Sequence, residues 1–80
     1  MMVVKMKSGV EFHAGKRFPD STMSSSCYDF VVMRTDTAGR VEKSFYFTGW
    51  KRCRARAFEM VRQWERDFGD MVVQVTTHTK

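Results

Sequence analysis

Eighty residues, 42% of them hydrophobic and 29% charged, fit one small domain over residues 1–80 and exclude a chain that is disordered throughout. A chain of this length buries roughly 60% of its surface, enough for one core and too little for a deep catalytic cleft. The net charge of +5 and the pI of about 9.6 suit a nucleic-acid or other polyanionic partner, although a basic balance also serves plain solubility.

Residues 2–7 alternate as a strand, with Met2, Val4 and Met6 facing inward and Lys5 and Lys7 outward. Ser8-Gly9 reads as a two-residue turn, and residues 10–14 alternate again, which predicts an N-terminal hairpin. Residues 15–26 carry a proline and a serine run and show neither helix nor strand period, so they read as a long loop. Residues 27–35 form a strand with Tyr28, Phe30 and Val32 on one face; Asp36 to Gly39 turns the chain, and residues 41–48 return with Phe45 and Phe47 on one face. Trp50, Cys53, Ala57, Met60, Val61, Trp64 and Phe68 then recur at three- and four-residue spacing, which predicts a helix over 50–68 closed by Gly69. Residues 71–77 make a last β-branched strand. The expected order is β-β-loop-β-β-α-β, an α+β fold in which one amphipathic helix covers one face of a small, mainly antiparallel sheet.

The sequence carries no P-loop, no dinucleotide-binding glycine pattern and no zinc motif. Cys27 and Cys53 form no CxxC pair, and neither His13 nor His78 lies at a recognisable spacing from a cysteine or carboxylate. Cys53 falls on the apolar helix face, where a thiol packs. The expectation is a protein that is not an enzyme, with no cofactor and no metal. No apolar run approaches a membrane span and no secretory segment opens the chain. That leads us to expect a soluble, cytoplasmic protein with reduced thiols, a Cys27–Cys53 disulfide remaining open.

The most informative segment is the helix start. Lys51, Arg52, Arg54 and Arg56 contribute four positive charges with no acid among them, whereas Glu59 to Asp70 holds two arginines against four acids. This polarity opposes the helix dipole, which favours acids at the N-terminus by roughly 0.3–1 kcal/mol each. Arg52 and Arg56 add a like-charged i,i+4 pair, and Thr48, the expected cap, has Lys51 where a capping box wants Glu. Together these choices cost on the order of 1–2 kcal/mol, which an anionic partner would reverse and which salt would screen. By helical geometry Arg54 lies near Trp50 and Phe58 and can cover the core edge or stack, while Lys51, Arg52 and Arg56 spread round the polar arc as a collar. Lys16 and Arg17, at the opening of the long loop, extend the basic surface.

Phe45-Tyr46-Phe47, a glycine turn and a basic helix start resemble the last part of a double-stranded RNA-binding domain. The leading helix of that family is missing, and Arg54 stands where its spaced basic pattern has alanine, so no family residue is carried over. Two expectations result. One is a binder of nucleic acid or nucleoprotein through Lys51, Arg52, Arg54 and Arg56, with Lys16 and Arg17. The other is a protein–protein inhibitor or adaptor of the phage or mobile-element type, such as an anti-CRISPR protein, docking on an acidic protein face. For the second, Val31, Met33 and Tyr46, apolar residues on the outward strand face, are candidate contacts, and the sheet edges allow a homodimer.

Overall fold

The computed structural model describes residues 1–16 and 29–77. The strands are β1 (Met2–Met6), β2 (Glu11–Lys16), β3 (Phe30–Thr35), β4 (Val41–Phe47) and β5 (Val72–Thr77), with one helix, α1 (Trp50–Phe68), between β4 and β5. They form a five-stranded sheet in the order β4-β3-β2-β1-β5, antiparallel at every pairing. This is the expected small α+β architecture. Arg17, the remainder of the 15–26 loop, Cys27, Tyr28 and His78 lie outside the described residues.

The chain leaves β4 at one edge and re-enters the sheet as β5 at the other, so the connection that contains α1 must pass from edge to edge. Nineteen helical residues span about 28 Å, more than the roughly 19 Å covered by four inter-strand gaps. The helix packs over β2, β3 and β4. Its contact face uses two small residues, Cys53 and Ala57, both fully buried, so the backbone can approach the sheet and Phe12 can fill the space between. Met2, Val4, Met6, Val10, Ala14, Val32 and Val61 complete the core. The strand alternation behind those assignments holds.

Several boundaries move, each for a visible reason. Gly15 and Lys16, expected in the loop, continue β2 because Val31 and Phe30 offer them ladder partners. The first hairpin turns through three residues and not two: the Met6 N–H donates to the Val10 carbonyl and the Gly9 N–H to the Met6 carbonyl, with Gly9 at φ 102°. The Asp36 to Gly39 turn forms as expected, its Asp36 carboxylate accepting from the N–H groups of Ala38 and Arg40. Thr48 does not cap the helix. The N-cap is Gly49 at φ 89°, a conformation that a side chain would strain, and no side chain caps the end. Phe68, assigned to the apolar stripe, is 66% exposed, with its ring against Trp64 and not in the core.

Beyond the left-handed Gly69, Asp70 joins three elements. Its carboxylate accepts from the Ser8 hydroxyl and N–H in the first hairpin, from the Trp64 indole N–H at 2.8 Å, and from its neighbour Met71 N–H at 2.9 Å. These donors, led by Ser8, hold the Asp70 carboxyl at about 2, well below its ordinary value.

Candidate functional site

The helix start sits at the end of the sheet where β2 stops and β3 begins. Trp50 reaches back to Phe30, with ring centroids 5.5 Å apart. Phe30 pairs with Lys16, so the exposed Lys16 shares this end of the molecule with the helix start. Lys51, Arg52, Arg54 and Arg56 are all exposed. They do not behave alike. The Arg54 guanidinium lies over the Phe58 ring at 5.2 Å, the stacking arrangement that helical spacing suggested. Arg56 pairs with Glu59 at 3.3 Å, one turn on. Among the described residues Lys51 and Arg52 enter no ion pair.

An acid does reach the helix N-terminus, but from another element. Asp29 precedes β3, and its N–H donates to the Phe47 carbonyl. That contact fixes the aspartate beside the β4–α1 turn, where its Oδ1 accepts from the Gly49 N–H at 3.0 Å. The dipole mismatch in the sequence is therefore offset in part by a carboxylate twenty positions upstream. Nothing local in the sequence announces this contact, which follows only from strand register.

The three outward apolar candidates do share one face, the one opposite α1, since Val31 pairs with Tyr46 and Met33 with Ser44. Val31 is nevertheless only 8% exposed and offers little contact area. A Cβ placed on its partner Gly15 would lie 3.4 Å from the Met1 side chain, so Met1 covers this part of the face. Met33 is half-buried and Tyr46 exposed. On the same face His13 meets Glu11 at 2.9 Å.

Two further surfaces share only Arg56 with the expected site residues. The first is a cleft of about 190 Å³ between α1 and the β3–β4 hairpin. Phe45, Met60, Trp64 and Phe68 form its apolar walls, and Lys43 and Arg56 belong to its rim. Arg34 pairs with buried Phe12 across the ladder and so points to the helix side, where its guanidinium lies 4.7 Å over the Trp64 ring and its Nε donates to Glu42 at 3.1 Å. Strand parity carried a signal for this grouping: Arg34 is in phase with Phe30 and Val32, and Lys43 with Phe45. The second surface is the β5 edge. The strand Val-Val-Gln-Val-Thr-Thr carries no charge, and Val73 and Val75 are 60% and 48% exposed, after exposed Met71.

Cys53 is fully enclosed, and burial pushes its thiol above the ordinary cysteine range, which disfavours the reactive thiolate. Among the described residues no group of three His, Cys, Asp or Glu side chains is placed to hold a metal ion, and no helix is long and apolar enough to cross a membrane. Comparison with protein-family models, with curated proteins and with solved structures finds no match to this chain.

Proposed function

We propose that this protein is a small, non-enzymatic, cytoplasmic binding module that engages an anionic partner, a nucleic acid or nucleoprotein, through the start of α1. One observation carries the reading: Lys51 and Arg52 are exposed on the first helical turn, with neither an ion pair among the described residues nor a side-chain cap beside them. Phosphates meeting this turn would encounter two exposed cations and the positive end of the helix dipole. Arg54, committed in part to Phe58, and Arg56, committed to Glu59, form the flank. Lys16 adds charge at the same end of the sheet.

The test is binding to DNA and RNA oligonucleotides across a salt series. Affinity should fall steeply with salt, and the Lys51→Ala/Arg52→Ala variant should flatten the log–log slope by roughly 0.7–0.9 for each phosphate it no longer neutralises. Binding that is undetectable or indifferent to salt ends this reading.

The β5 edge supports a second reading, an inhibitor or adaptor that docks on a protein, as phage-type inhibitors of host defence complexes do. An uncharged edge strand with exposed Val73 and Val75, preceded by exposed Met71, suits strand addition to a partner sheet. Its mark would be a partner that survives nuclease treatment and is lost with Val73→Lys/Val75→Lys but kept with Lys51→Ala/Arg52→Ala.

A further inference from the structure

We propose that the cleft between α1 and the β3–β4 hairpin receives an unstacked base of a single-stranded nucleic acid whose backbone lies on the helix start. The inference rests on the nucleic-acid reading above and sharpens it to one substrate class.

The first argument is size and shape. At about 190 Å³ the cleft lies below the roughly 300–1,000 Å³ of sites for drug-sized ligands and suits a single planar ring. A duplex hides its bases in the stack, so only an unpaired strand can present one. The second argument is the walls. Phe68 is 66% exposed with its ring against Trp64, centroids 4.2 Å apart, and Phe45 is 36% exposed on the opposite wall. Two aromatic rings left partly in water at one cleft form a stacking platform.

The third argument is the distribution of polar groups, and it accounts for the helix polarity. Lys43 and Arg56 line the cleft, where Glu59 pairs with Arg56, and Arg56 is one helical turn from Arg52, so cations continue from the cleft to the helix start with one acid among them. Towards the helix C-terminus the lining changes to Gln63 and Asp67, whose side chains are joined, the amide nitrogen lying 3.3 and 3.4 Å from the two carboxylate oxygens. A carboxylate repels phosphate but accepts from the amino or imino edge of a base, and the Gln63 carbonyl is a further acceptor. The basic first half of α1 thus suits backbone and the acidic second half suits a base edge. One strand crossing from Arg52 past Arg56 into the cleft uses both.

Trp50→Phe leaves Trp64 as the one tryptophan, since the chain has two. This variant would be titrated with oligo(dC), oligo(dT), oligo(rC), oligo(rU) and a blunt duplex of equal length, with Trp64 fluorescence and competition binding as readouts. The expected result is a Trp64 response to single strands and none to the duplex. Phe68→Ala, at an exposed site and checked for folding by circular dichroism, should weaken single-strand binding by roughly 5- to 150-fold, with a smaller loss for Phe45→Ala. The deoxy and ribo arms decide between DNA and RNA. Equal binding of duplex and single strands, indifferent to Phe68→Ala and Phe45→Ala but still weakened by Lys51→Ala/Arg52→Ala, overturns the base site and leaves the nucleic-acid reading standing. Failure of every oligonucleotide to bind removes both.

Discussion

The two ends of α1 are built on opposite plans. At the C-terminal end Gly69 takes the left-handed conformation, and Asp70 ties the helix, the first hairpin and the start of β5 together through donors from each. At the N-terminal end Gly49 stands where a capping side chain would serve, the first turn carries no acid, and a single Asp29 carboxylate reaches in from outside. The helix is anchored by one end and offered by the other. An end with satisfied donors and fixed side chains has little left for a ligand, whereas one whose cations enter no ion pair among the described residues has donors to offer. This contrast is why we place the partner at the helix start.

The two tryptophans give the contrast its largest expected effect. Trp64 meets Phe12 edge-on, Phe68 and the Arg34 guanidinium, and it donates to Asp70; Trp50 meets Phe30. Trp64→Ala is expected to cost about 3 kcal/mol of unfolding free energy and Trp50→Ala about half of that. Urea denaturation of the two variants measures the difference. Equal losses would show that the two ends are held alike.

Acid titration tests the same anchor more specifically. The folded-state Asp70 carboxyl lies at about 2 against an ordinary 3.8. A depressed folded value adds stability that is fully present above the unfolded value and is lost as pH falls from about 4 to about 2. Asp70→Asn should therefore be less stable than the parent at neutral pH, and the gap should close across that window. A gap that persists unchanged at pH 2 would mean that the shape of the side chain, and not its charge, holds the junction.

The sequence made the frame legible and left the junctions hidden. Met2, Val4, Met6, Phe12 and Val32 announce their faces by alternation, and Cys53, Ala57 and Val61 by helical spacing, because burial imposes a period on neighbours in sequence. Asp70 and Asp29 announce nothing. Their partners Ser8 and Gly49 lie 62 and 20 positions away, and only the register of the sheet brings them close. The candidate site divides in the same way. Exposure of Lys51, Arg52, Arg54 and Arg56 and the Arg54 stack on Phe58 follow from helical geometry alone. The cleft joins Arg56 and Trp64 of α1 to Lys43 and Phe45 of β4, and it needed the tertiary packing of two elements before it could exist. Phe68 shows the limit of periodicity, which reports the face a residue occupies but not how deeply it is covered.

The smallest expected effect is the most discriminating, because its two parts have opposite signs. Asp29→Asn keeps an acceptor near the Gly49 N–H but removes a carboxylate bonded at the helix N-terminus. Loss of its interaction with the helix dipole should destabilise the fold by about 0.5 kcal/mol. The same change removes an acidic charge bonded at the start of α1 and raises the net charge from +5 by one. Affinity for a polyanion should then rise, by about two- to threefold at low salt, with the gain shrinking as salt screens it. Thermal denaturation and oligonucleotide binding on one preparation read both quantities. A variant slightly less stable and a tighter binder is what an offered helix start requires. If instead it loses stability with no gain in affinity at any salt concentration, the anion does not sit at this end of α1, and the β5 edge becomes the better place to look for the partner.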